Sequence, residues 1–309
     1  MMRLTIIGFG NQAKSWALNL RDSGFPLRVA LRVDSPSRET AALMGFNVVD
    51  LGSEDFYTDN AFALLTPDLS HDEFMVSHGK LLNEGAIILY AHGYSLIKHD
   101  FHKCYPKLQH VLFAPKAIGS ELRTQYQING KLGAVYSLEH CKGQSLETLA
   151  WLKELSVALG INIGPFSTTF RHETQADLYS EQGLLCSLIP YAASEMFENL
   201  VEKGIEPELA YFECWHELKL IVNAMVEEGP IGFFDLISPN ALIGSEKGYQ
   251  KLFHEGFRQN LKSLLTEIQN GTFDTELQNT NPENTRKLIR TRWQQSRLQQ
   301  TFDKLQEKK

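Results

Sequence analysis

Residues 3–13, RLTIIGFGNQA, run an apolar strand straight into a glycine-rich turn that opens a helical segment, NQAKSWALNLRDSG. A G-x-G turn is weak alone, but between a first strand and a first helix it marks a dinucleotide-binding βα unit. Gly8 permits the tight turn, Gly10 lets backbone approach a pyrophosphate, and Ala13 stands where the motif has its third small residue. The helix N-terminus adds N–H donors and a partial positive charge. Phe9, Asn11 and Gln12 complete the expected cofactor-contacting turn. The bland alternative is a strand–helix turn that holds no ligand.

The alternation continues with apolar stretches at 27–32, 47–51, 61–67, 85–93, 110–116, 131–138 and 161–166, separated by helical or polar segments. That spacing indicates an α/β Rossmann-type, doubly wound parallel sheet. After residue 167 the strands stop. Helical segments follow at 173–203, 207–227, 249–270 and 281–308, so an all-α domain is expected over 168–309, behind a dinucleotide-binding domain over 1–167. The polar run 270–285 reads as loop. At 309 residues and 43% hydrophobic content, the chain can bury a core in each domain.

The kind of nicotinamide is decided in LRVDSPSR (31–38), near the end of the second strand. Asp34 is placed to grip a ribose 2′-hydroxyl, the mark of NAD. Arg32, Ser35 and Ser37 instead offer a cation and two hydroxyls to a 2′-phosphate. The balance of donors favours NADP.

Two carboxylate pairs occupy apolar helical stretches: Asp177 with Glu181, and Glu213 with Glu217. A four-residue spacing projects each pair from one helix face. Charges in apolar surroundings need compensation, and oxygen donors suit a hard divalent cation such as Mg²⁺. Helix-surface acids or salt-bridge partners are the competing reading.

The net charge of −7 argues against a nucleic-acid partner. No apolar run approaches the about 20 residues a membrane span needs. MMRLTIIGFG lacks the features of a signal peptide. Four scattered cysteines, Cys104, Cys141, Cys186 and Cys214, suit reduced thiols in a cytoplasmic protein.

Taken together, IIGFGNQAKSWALNLRDSG, LRVDSPS, LLTPD, LYAHGYS, FAPK, STTFRHETQADLYSEQ, YFECWHELKLIV, LIS and IQNGTF follow one another as in a known family. The chain resembles the short, class I ketol-acid reductoisomerases. The resemblance implies a Rossmann domain, a knotted helical domain, and a homodimer or higher homo-oligomer in which each active site is shared. It implies NADPH and two Mg²⁺ ions as cofactors and a small acetohydroxy acid as substrate. Asp177 and Glu181 then match one metal-ligand pair. Glu213 and Glu217 match the second, from the other subunit, with Glu217 also placed to relay a proton. His92 and Lys116 match polar groups at the nicotinamide–metal junction, and Ser238 matches a contact to substrate carboxylate. Taken singly, His92 reads as a strand-end histidine, Lys116 as a solvated cation and Ser238 as a helix cap.

Departures from the family are also visible. The glycine- and proline-rich run after the lysine becomes AIGS, Leu242 and Ile243 replace an acid and a tyrosine, and Gln175 and Ala176 replace a Glu and a Thr. No proposed ligand is lost, so a shift in substrate preference is the expected consequence. A paralogue that only reduces a 2-keto acid or isomerises another ketol, and a non-catalytic nucleotide-binding scaffold, are the two competing functions.

Overall fold

The computed structural model describes residues 2–143 and 145–307. It divides into two compact units, Met1–Thr174 and Gln175–Lys309. The first is built on an eight-stranded sheet in the order β3-β2-β1-β4-β5-β6-β7-β8. Its strands are β1 (Leu4–Ile7), β2 (Leu27–Leu31), β3 (Val48–Asp50), β4 (Ala61–Leu64), β5 (Ile87–Tyr90), β6 (Gln109–Pro115), β7 (Gly133–His140) and β8 (Ile163–Ser167).

Strands β1, β4, β5 and β6 are buried along their whole length, as a sheet covered on both faces requires. One face packs Trp16 of the helix Asn11–Asp22 on Phe113, with Leu20 of the same helix and Trp151 and Leu155 of the helix Ser145–Leu159 in the same cluster. The other face gathers Phe56, Phe62, Phe74, Tyr90 and Phe101.

The sheet is parallel as expected, with one exception. β7 runs antiparallel to β6, with Pro115 opposite Ala134. After β6 the chain makes only the nine-residue helix Gly119–Gln127 and a turn, and returns to the edge where β6 ended. β7 starts there and must run in reverse.

Within this sheet, His110 is 1% exposed and carries a pH signature. Its Nε2 faces the Tyr105 carbonyl at 3.3 Å and so carries the proton, leaving Nδ1 to accept from the Tyr90 hydroxyl at 3.0 Å. Burial drives its pKa down to about 4. The unfolded chain takes up a proton at about 6.5 while the folded one does not, so stability falls as pH drops from 6.5 toward 4. The lost stability is on the order of 3 kcal/mol. Urea unfolding of wild type and His110→Gln across that window should show the slope in wild type and its reduction in the variant. Equal slopes would contradict the assignment.

The second unit is helical. Its helices include Leu188–Glu202, Pro207–Tyr211, Leu218–Leu236, Pro239–Leu252, Glu255–Gln269, Thr272–Asn279, Pro282–Gln294 and Arg297–Gln306. A small core joins Phe197, Ala210, Tyr211, Cys214 and Leu298. Gly229 interrupts Leu218–Leu236 at φ 72°, ψ 176°, immediately before Pro230. The run 270–285, read from sequence as loop, is mostly helical. Gly271 takes a left-handed φ of 83° ahead of one helix, and the Asn281 side chain accepts from Glu283 N–H to cap the next. Polar composition concealed these two starts. Among the described residues, no helix is long and apolar enough to cross a membrane.

Candidate active site

At the carboxyl edge of the parallel strands, where the strand order turns at β1 and β4, ligands find a natural crevice. A cavity of about 470 Å³ opens there, lined by Gly8, Arg32, Val33, Ser35, Leu51, Thr66, Phe74 and His78 among others. Gly8 has φ +97°, and a Cβ there would fall 2.8 Å from Thr66 Cγ2 and 3.2 Å from the Leu65 oxygen. A Cβ at Gly10 would meet nothing within 4 Å. That open space lies at the start of the helix Asn11–Asp22, where a bound anion would need it.

Of the expected cofactor contacts, Gly8, Arg32 and Ser35 line the cavity. Ser37 does not; it begins the helix Ser37–Leu43, and its N–H reaches Ser35 Oγ at 3.4 Å. Phe9 turns its ring into the core against Phe46, leaving only its backbone to the turn. Arg32 and Asp34 are both exposed and 3.6 Å apart. The segment after β6 closes on this turn: a Cβ at Gly119 would lie 2.7 Å from Asn11 carbon and oxygen and from Gln12 N. Asn11 and Gln12 therefore meet AIGS backbone to backbone.

Lys116 follows β6, His92 follows β5, and both face one carboxylate that sequence reading missed. Glu173, in the helix Phe170–Ser180, has a side chain only 1% exposed. Its Oε1 accepts from Lys116 Nζ at 2.7 Å, its Oε2 accepts from Gly93 N–H at 2.8 Å, and His92 Nε2 lies 3.9 Å from Oε2. A buried carboxylate is tolerable because a cation and a backbone donor occupy its two oxygens. Gly93 makes the approach possible, since a Cβ there would fall 2.5 Å from Thr174 Oγ1 and 2.6 Å from the Phe170 oxygen. A signal for Glu173 did exist: it precedes Asp177 by four residues, the spacing of the two recognised pairs.

In the second unit, Asp177 is half-buried and Glu181 is exposed. Glu181 opens a π-helical turn, Glu181–Leu185, in which Cys186 N–H donates to the Glu181 oxygen five residues back. The other pair repeats the device: Phe212–His216 is a π-helical turn, and Glu217 N–H donates to the Phe212 oxygen. Such wide turns recur at functional sites. Each pair also has a thiol beside it. Burial pushes the Cys186 pKa up, and the negative charges of Glu181 and Asp177 add to the effect. Burial and Glu213 do the same for Cys214.

The expectation that these acids sit in apolar surroundings takes a different form in the structure. Glu213 and Glu217 are exposed in the single chain, on a surface where Phe212, Leu220, Ile221 and Met225 are exposed as well. Ser238 is exposed, and its Oγ accepts from Ala241 N–H at 3.3 Å as the cap of Pro239–Leu252.

Residues 2–164 match the family model of the acetohydroxy acid isomeroreductase NADPH-binding domain. Residues 170–308 match that of the ketol-acid reductoisomerase C-terminal domain. A ketol-acid reductoisomerase (NADP(+)) of Xanthomonas euvesicatoria is 36% identical over 275 residues, covering 88% of this chain and 81% of that protein. The Xanthomonas campestris protein of the same name is 36% identical over 274 residues, covering 87% and 80%. The solved structure of an NADH-preferring ketol-acid reductoisomerase from an uncultured archaeon aligns with TM-score 0.86 at 25% identity, covering 99% of this chain and 94% of that one. A pyrroline carboxylate reductase from Plasmodium falciparum, TM-score 0.58 at 12% identity over 87% of this chain and 98% of that one, shares the fold alone. Matched along nearly its whole length, the chain belongs to the ketol-acid reductoisomerase family, NADP-dependent oxidoreductases of branched-chain amino-acid biosynthesis.

Proposed function

We propose that the chain converts 2-acetolactate, or a related acetohydroxy acid, to the 2,3-dihydroxy acid by alkyl migration and reduction, using NADPH and two Mg²⁺ ions. The observation that carries this reading is the buried Glu173 paired with Lys116 and approached by His92, at the same sheet edge as the Gly8 turn.

The residues fit the cofactor. The open face of Gly10 and the helix beginning at Asn11 suit a pyrophosphate, and Arg32 with Ser35 suits a 2′-phosphate. When bound, NADPH supplies the hydride that side chains cannot. The acids fit the metal, being oxygen donors in two pairs. Asp177 and Glu181 would hold the ions from this chain, and Glu213 and Glu217 from a second copy. Bound Mg²⁺ supplies Lewis acidity, polarising a carbonyl and acidifying a neighbouring hydroxyl.

The chain's own groups do the rest. Glu173 anchors the Lys116 ammonium, whose charge stabilises oxygen anions developing on the substrate. His92 and Glu217 are the groups placed to move protons. Ser238 is assigned to the substrate carboxylate, in exchange for its present capping bond.

Sharing of sites between two copies has its own support. Among the described residues of Leu218–Leu236 none is buried, although Leu220, Ile221, Val222, Met225, Val226, Ile231, Phe234 and Leu236 are all exposed. A helix so apolar needs a cover, and an isologous dimer supplies one. Four free thiols suit a reducing cytoplasm.

NADPH oxidation with 2-acetolactate that rises with Mg²⁺ and stops on chelation is the expected result. Turnover of 2-keto acids alone, insensitive to chelation, would replace this reading with that of a simple reductase. Arg32→Ala is expected to weaken NADPH by roughly 10-fold while leaving NADH nearly unchanged, because only the 2′-phosphate loses a charged partner. Fluorescence titration with both cofactors measures it. Equal losses would point to Asp34 and the ribose hydroxyl instead.

A further inference from the structure

We infer that Asp68 is a positioning residue for His92, holding the imidazole with Nδ1–H toward the Asp68 carboxylate and Nε2 toward Glu173. The inference rests on His92 belonging to the active site, as proposed above. Asp68 begins the turn Asp68–Ser70 after β4, and His92 follows the neighbouring β5. One carboxylate oxygen, Oδ2, lies 3.6 Å from His92 Nδ1, and the other, Oδ1, lies 3.6 Å from His71 Nδ1.

His71 forms the other side of this arrangement. It is 3% exposed, its Nε2 meets the Thr66 carbonyl at 3.0 Å, and its Nδ1 meets Ser95 Oγ at 2.7 Å. A nitrogen facing a carbonyl must carry the proton, so Nδ1 of the neutral ring accepts from the serine hydroxyl. Burial favours that neutral ring, lowering the His71 pKa against the pull of Asp68. Asp68 thus lies between a buried, hydrogen-bonded ring and a second imidazole.

At 3.6 Å the approach to His92 is electrostatic, longer than a hydrogen bond. A carboxylate can only accept, so the nearer ring nitrogen is stabilised as N–H. On the far side both Glu173 oxygens already take donors, Lys116 on Oε1 and Gly93 N–H on Oε2. His92 is thus oriented from one side by Asp68, while on the other Glu173, 3.9 Å from Nε2, already holds Lys116 and the Gly93 N–H. Asp68 also precedes the helix His71–His78, where an acid favours the helix dipole. That structural role predicts a change in stability and no effect specific to His92.

Asp68→Asn, Asp68→Glu, His92→Gln and the double variant Asp68→Asn/His92→Gln separate the two roles in the full chain. The measurements are kcat and KM for 2-acetolactate, NADPH affinity, thermal midpoint, and ¹⁵N imidazole NMR of His92. Expected for Asp68→Asn are a kcat lower by about 10–100-fold, the range for losing a group that orients a reactive one, with KM and NADPH affinity nearly unchanged. The His92 spectrum should move from the Nδ1–H toward the Nε2–H tautomer, and Asp68→Glu should recover part of the rate. In the His92→Gln background the same substitution should cost nothing further. An undiminished loss in that background, or an unmoved tautomer, overturns the inference while leaving His92 in the site. Wild-type turnover by His92→Gln overturns both, and is visible in the single variant alone.

Discussion

Asp177→Asn is expected to abolish the rearrangement while leaving NADPH bound almost as tightly as in the wild type. Asparagine keeps the volume and one acceptor oxygen at that position but removes the charge that a divalent ion requires. Lewis-acid stabilisation amounts to several kcal/mol, so the loss in turnover should be on the order of 10³-fold. The cofactor cavity, lined by residues such as Gly8, Arg32 and Ser35, lies wholly within the first compact unit, whereas Asp177 lies in the second. Calorimetric titration of NADPH should therefore be insensitive to the change, and the Mg²⁺ dependence of turnover should disappear. A variant that loses NADPH affinity, or keeps the wild-type response to Mg²⁺, would show that Asp177 has another role.

Lys116→Met should have the second largest effect, in both activity and stability. It strands the Glu173 carboxylate, 1% exposed, with the Gly93 N–H and the more distant His92 imidazole. Breaking a fully buried pair typically costs 3–5 kcal/mol. Lys116 is 41% exposed, so water screens part of that, and roughly 1–3 kcal/mol is expected. Turnover should fall by about 100-fold or more, since a preorganised cation at the reacting oxygens is removed. Adding Glu173→Gln to Lys116→Met relieves the uncompensated charge, so urea unfolding should recover much of the stability while activity stays low. Recovery of both together would mean that Lys116 serves only to neutralise Glu173.

Gly8 was legible because a strand–turn–helix leaves little choice of backbone, and it takes φ +97° there, whereas Gly10 has ordinary extended backbone with open space where a Cβ would lie. Ser37 was grouped with Arg32 and Ser35 by proximity in the chain, yet helix geometry takes it off the cavity. Glu173 escaped notice because its spacing to Asp177 in HETQAD carries no local mark of burial. Its partners, Lys116 and Gly93, are 57 and 80 residues away in the chain. The reversal of β7 was hidden for a similar reason: an apolar run records that it is a strand but not which way it runs.

The linear order of residues determined the α/β alternation, the change to helices after the sheet, the glycine turn and the paired acids, since each depends on local backbone preference and side-chain period. Tertiary structure alone decided which distant groups share a carboxylate, that both acid pairs sit at π-helical turns, and that Glu213 and Glu217 are exposed in one chain. The physical reason is that hydrogen-bond register and burial are set by packing partners far along the chain, and no window of sequence contains them.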